Sequence, residues 1–180
     1  MKFYKVMIIL MISFVAFFAK LTDVRDYSNI KSENSDVIYE EKEEVKYVYD
    51  SLTYDELVKK INKVLKSDLS GTANLYIDAC LEYEVDPYIA VAISLLETGC
   101  KWGCTLGKNN VGGNMTCQNG SCSLIRFATL EDGINFFVKN LRNNYYNYGL
   151  TTVETIGPKY AQSKTWAQKV NKYIEEIKSI

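Results

Sequence analysis

Val85-Asp86-Pro87-Tyr88-Ile89-Ala90-Val91-Ala92-Ile93-Ser94-Leu95-Leu96-Glu97-Thr98-Gly99 is the stretch on which the fold of this chain turns. Asp86 followed by Pro87 is an N-cap residue with proline at the first helical position, and Gly99 suits the position just past a helix end. Between them almost every side chain is apolar, so the helix lacks a solvent face and belongs at the centre of a domain. A single acid, Glu97, lies inside it near the C-terminal end. There the negative end of the helix macrodipole and partial removal from water both disfavour the ionised form, which predicts a raised pKa. A carboxylic acid held protonated near neutral pH can deliver a proton to a departing group.

The flanking sequence predicts more helices. Thr53-Tyr54-Asp55-Glu56 has capping-box spacing, and Leu57, Ile61, Val64 and Leu65 recur at helical intervals towards an end near Ser67. A second helix is expected after Gly71, with Leu75, Ala79 and Leu81 turned inward. Thr129 with Asp132 caps an amphipathic segment containing Ile134, Phe137, Val138 and Leu141. Thr152 opens a short helix ending near Gly157-Pro158, and Thr165 with Gln168 caps a last one carrying Trp166, Val170, Tyr173, Ile174 and Ile177. From Gly99 to Leu124 runs a loop dense in Gly, Asn and Cys, the kind of segment that carries binding and catalytic groups on a rigid scaffold. The expected fold class is all-α over residues 51–180, with a small β-hairpin in the cysteine loop at most.

Upstream of that domain the composition changes twice. Lys2 and Lys5 precede a run from Val6 to Ala19 that is apolar except for Ser13, so residues 1–20 read as a signal peptide or membrane anchor. Phe17 sits where a cleavage site wants a small residue, which leaves cleavage open. Residues 21–50, including Glu40 to Glu44, have no sustained apolar period and read as a disordered charged linker. The expected location is therefore exported: cell wall, extracellular, or anchored to the membrane and facing outward.

At 180 residues the chain has room for one ordinary domain and an appendage. Its 21 basic and 22 acidic residues nearly cancel, which argues against nucleic acid as a partner. The absence of histidine removes the commonest general base and metal ligand, so Ser-His-Asp and Cys-His catalysis are excluded and no metal or cofactor is expected. Five cysteines remain: Cys80, and Cys100, Cys104, Cys117 and Cys122 in the loop. Three and four residues lie inside the two loop pairs, unlike the two-residue spacing of zinc knuckles, and an exported chain favours disulfides. Either both bridges lie within the loop and Cys80 stays buried and free, or Cys80 takes one loop cysteine and another stays unpaired.

Taken in order, Val85-Asp86-Pro87-Tyr88-Ile89-Ala90, Glu97-Thr98-Gly99, Asn109-Asn110-Val111-Gly112-Gly113, Arg126-Phe127-Ala128-Thr129 and Tyr160-Ala161 before the Trp166 helix resemble the bacterial endo-β-N-acetylglucosaminidase family. Its members are autolysins and flagellar or phage muralytic domains with a lysozyme-like fold. The resemblance covers essentially the whole of residues 51–180 and rests on the order and spacing of its pieces. It implies a lysozyme-like α domain that cuts β-1,4 bonds in the glycan strands of peptidoglycan, with Glu97 as catalytic acid and Tyr160 as a second active-site residue. It also implies that Asn109 and Asn110 lie beside the cleft as substrate-binding residues. Phe127 is a candidate sugar platform as well as a candidate core residue, and Tyr145, Tyr146 and Tyr148 either stack on sugars or pack between helices.

Two departures from the family pattern stand out. Four cysteines follow Glu97, and no second catalytic carboxylate is evident, because Glu131, Asp132 and Glu154 all hold first-turn positions. Without one, the substrate's acetamido group would act as internal nucleophile in hydrolysis, or its 6-hydroxyl in a lytic transglycosylase. Muramidase action on the same fold is a further alternative. So is a non-catalytic wall-binding or assembly module of a secretion, conjugation or phage apparatus.

Overall fold

The computed structural model describes residues 46–98 and 106–180. The signal or anchor expected at residues 1–20, the linker up to residue 45, and Gly99, Cys100 and Cys104 lie outside the described residues. The described chain contains six α-helices, α1 (Tyr54–Asn62), α2 (Ala73–Tyr83), α3 (Pro87–Thr98), α4 (Leu130–Asn144), α5 (Val153–Tyr160) and α6 (Trp166–Lys178). Two antiparallel hairpins accompany them, β1 (Tyr47–Tyr49) with β2 (Leu52–Thr53), and β3 (Met115–Gln118) with β4 (Ser121–Leu124). The all-α class with a small hairpin in the cysteine loop is therefore what the chain adopts.

Helix α3 is central, as its sequence requires: every residue from Pro87 to Ser94 is buried. It lies along α6, and α2 packs against α4, so that Ile77, Ile93, Phe137, Leu141, Val170 and Ile177 share one core. The start of α3 is fixed by Asp86, whose Oδ1 accepts the backbone N–H groups of Tyr88 at 2.8 Å and Ile89 at 3.1 Å. Its Oδ2 accepts the Tyr49 hydroxyl at 2.7 Å, and Asp50 accepts the Tyr88 hydroxyl at 3.0 Å. The folded part thus begins before the expected start at Ser51. Residues 47–50 lack apolar periodicity, but they gain backbone pairing from β2 and hydroxyl–carboxylate bonds from α3.

Several expected boundaries move. Helix α1 stops at Asn62 rather than near Ser67, where a short 3-10 turn over Ser67–Leu69 begins at positive φ. Leu81 is 46% exposed rather than inward. Helix α5 continues through Pro158 to Tyr160: proline removes one internal hydrogen bond, but the Ala161 N–H still reaches the Gly157 carbonyl at 3.0 Å. Thr129 and Asp132 form the expected reciprocal cap of α4, whereas Thr165 makes no side-chain cap to α6.

Two glycines bring the loop after the cysteines down onto α4. A Cβ on Gly133 would lie 1.7 Å from the Asn109 carbonyl oxygen, and one on Gly112 would lie 2.2 Å from the Phe137 ring. Only glycine lets these backbones approach so closely. Beyond this loop, β3 and β4 pair in register around Asn119-Gly120, both at positive φ, with Cys117 opposite Cys122 and the two joined by a disulfide. Cys80 is buried and free, as in the first of the two arrangements expected.

Candidate active site

Glu97 occupies the last turn of α3 and is half-buried, because the helix that carries it is enclosed on nearly all sides. Burial raises its pKa above the ordinary value of 4.5. The Trp166 indole N–H acts on the same carboxylate and favours its charge, pulling the pKa part of the way back. That N–H stops short of full hydrogen-bond geometry with any partner among the described residues. Opposite the carboxylate stands Gly113 at φ +64°, where a Cβ would come within 3.5 Å of Glu97 Oε2. The acid is thus set between a backbone wall and an indole.

Tyr160 closes this arrangement from the end of α5. Its hydroxyl donates to the Gly112 carbonyl at 2.8 Å, and its ring stacks on Trp166 with centroids 4.9 Å apart. Tyr145 packs against it at 5.7 Å. Burial first, and then the nearby Glu97 charge, raise the Tyr160 pKa far above the ordinary tyrosine value. The phenol stays protonated, its hydrogen is given to Gly112, and the ring braces the wall that Glu97 faces.

Asn109 and Asn110 are near this wall, but their amides are engaged by the protein. Asn109 Nδ2 donates to the carbonyls of Phe127 at 3.1 Å and Ala128 at 3.2 Å, from a backbone at φ +52°. Asn110 is fully buried; its Nδ2 donates to the carbonyls of Asn114 and Ile125, and its Oδ1 accepts the Asn114 N–H at 2.9 Å. Together they tie the Gly112-Gly113 turn to the base of the β3–β4 hairpin. Phe127 is half-buried and packs against Phe136 of α4, with ring centroids 5.1 Å apart. The structure therefore brings Glu97 and Tyr160 together around Gly112-Gly113, with Asn110 beneath the turn and Phe127 against Phe136.

Trp166 was absent from the residues the sequence singled out for the site, because it read as one more apolar position of α6. Its signal was compositional: tryptophan carries a donor that needs a partner when buried. Gly112-Gly113 stood in the quoted motif, but only the packing shows that one glycine admits Phe137 and the other borders Glu97.

A half-buried acid whose pKa is raised by burial, beside a backbone wall and an aromatic pair, is suited to protonating a leaving oxygen during glycoside cleavage. A family model described as mannosyl-glycoprotein endo-beta-N-acetylglucosaminidase, the glucosaminidase family, matches residues 73–179, a span that includes Glu97, Gly113, Tyr160 and Trp166. Comparison with curated proteins gave no match. The chain belongs to the glucosaminidase family and is a glycoside hydrolase that acts on peptidoglycan.

Proposed function

We propose that this enzyme is an endo-β-N-acetylglucosaminidase that hydrolyses β-1,4 bonds of the glycan strand, with Glu97 as general acid. The observation that carries this reading is the half-buried Glu97 carboxyl, whose pKa burial raises. In the first step Glu97 gives its proton to the glycosidic oxygen as the C1–O bond breaks. Asp132 is held by Thr129 and Glu154 by Asn171, which favours the substrate's own acetamido oxygen as the group that closes on C1. Water then attacks C1, the acetamido group is released, and Glu97 takes the proton of the water back.

Tyr160 and Asn110 serve this chemistry as positioning residues: one braces the Gly112 carbonyl, the other ties down the turn that borders Glu97. On the family resemblance, Asn109 and Phe127 are assigned to the rim that receives the strand. Export through residues 1–20 places the enzyme on the side of the membrane where peptidoglycan lies. The test is digestion of purified peptidoglycan with mass analysis of the new ends. Reducing N-acetylglucosamine ends are expected. Reducing N-acetylmuramic acid ends would make it a muramidase, and anhydro-muramic acid ends a lytic transglycosylase.

A further inference from the structure

Of the tyrosines that follow α4, Tyr145 packs on Tyr160 and the Tyr146 hydroxyl accepts the Asp86 N–H, but Tyr148 does neither. At 71% it is the most exposed large apolar side chain among the described residues. The ring is nevertheless held in place. The Lys159 ammonium lies 4.8 Å from its centroid and 5.1 Å from that of Tyr145, and also donates to the Asn144 carbonyl at the end of α4. A surface ring in contact with a cation, with most of its area left to solvent, is a platform without an occupant among the described residues.

A line of carboxamides joins that platform to the wall of the active site. Asn144 Nδ2 donates to Asn140 Oδ1, one turn earlier on α4. Asn140 Nδ2 donates to Asn114 Oδ1 at 3.4 Å, and Asn114 directly follows Gly113, which borders Glu97. Asn144 is exposed and Asn140 and Asn114 are partly so. A pyranose has an apolar face that stacks on an aromatic ring, and its N-acetyl groups offer a carbonyl and an N–H that pair with carboxamides. A nucleic acid would also stack, but a phosphate backbone asks for several cations, and this track supplies Lys159 alone in a chain of net charge −1.

We infer that Asn114, Asn140, Asn144 and Tyr148 form an outer binding track for the N-acetylated sugars of the glycan strand, leading away from Glu97 and ending on the Tyr148 ring. The track rests on the proposed function for the identity of its ligand. It makes the enzyme favour long strands over short ends, since the outer contacts are remote from the bond that breaks and act on binding rather than on the chemical step.

The experiment compares the full chain with Tyr148→Ala, Tyr148→Phe and Asn144→Ala on a suspension of purified peptidoglycan. Tyr148→Ala should raise the apparent KM roughly threefold to tenfold with kcat and Tm unchanged, and Tyr148→Phe should behave like the parent. Asn144→Ala should raise the apparent KM by a smaller factor. In parallel, Glu97→Gln and the Glu97→Gln/Tyr148→Ala double variant are cosedimented with the same wall material, and the double variant should bind more weakly. Wild-type KM and undiminished cosedimentation for the Tyr148→Ala variants would overturn the track. So would a fall in Tm that accounts for the loss of activity. Should Glu97→Gln still cut the wall, the proposed acid is wrong, while the cosedimentation pair decides the track on its own.

Discussion

A glutamate withdrawn from water at the end of a buried helix is costly when ionised. Because its folded pKa is raised above 4.5, the folded chain keeps a proton in the window between the two values that the unfolded chain has released. Stability contributed by this group is therefore present at low pH and declines as pH rises through that window. The same protonation serves catalysis, so kcat/KM should fall on the alkaline side as Glu97 ionises. Trp166 opposes the upward shift. Trp166→Phe should move that alkaline limb to higher pH, and a pH–rate profile of the folded variant checks this. A limb that stays in place or moves to lower pH would show that the indole does not act on Glu97.

Tyr160 offers a second residue-level expectation. Tyr160→Phe leaves the Gly112 carbonyl without its donor, a loss of about 1–3 kcal/mol, readable as a lower Tm. Activity should fall with it, since the wall facing Glu97 loses its brace. Unchanged Tm and rate together would mean that Gly112 finds another donor and that Tyr160 does not hold the turn. Glu97 was legible in the sequence because a single acid in an apolar helix is anomalous there. Trp166 was not, because its relation to Glu97 spans two chain segments that only the packing of α6 on α3 brings together.

Among the elements, the approach of the 109–113 loop to α4 is the least tolerant of change. Gly133→Ala would press a methyl group into the Asn109 carbonyl oxygen, which must move or expel the loop. A destabilisation of about 2 kcal/mol or more is expected from such overpacking, with loss of wall-cutting activity, measured by denaturant unfolding and turbidity assay. A variant as stable as the parent would show that the loop is not seated on α4.

The β3–β4 hairpin behaves differently. Its strand residues are exposed except for Leu124, so little packing supports it, and two short strands are marginal alone. Reducing Cys117–Cys122 should speed hydrogen exchange at residues 115–118 and 121–124 while α2, α3 and α4 remain protected. Uniform loss of protection would contradict a hairpin that melts locally. The sequence allowed a small hairpin in the cysteine loop, and Asn119-Gly120, both at positive φ, form its tight turn. The pairing of Cys117 with Cys122 required the register, which composition does not contain.

At the scale of the molecule, the helices were legible where their signals were strong and local. The Asp86-Pro87 opening and the Thr129–Asp132 cap stand where the sequence puts them. What was not legible depended on partners distant in the chain. Residues 47–50 look like linker until β2 and the N-terminus of α3 supply their hydrogen bonds. The resemblance puts Asn109 and Asn110 beside the cleft, but the carbonyls of Phe127, Ala128 and Ile125 that take their amides lie farther along the chain and are found only in the fold.

The central claim is that Glu97, whose pKa is raised by burial at the end of α3, protonates the leaving oxygen of the glycan. The most direct measurement is the initial rate at which new reducing N-acetylglucosamine ends appear in purified peptidoglycan treated with the parent enzyme or with Glu97→Gln. The account predicts that the parent produces these ends and that the variant is slower by at least about 100-fold. At a pH above the raised Glu97 pKa the variant should unfold at a Tm equal to or above that of the parent, since the substitution there removes a partly desolvated charge. A folded Glu97→Gln enzyme that releases the same ends at the parent rate would contradict the account.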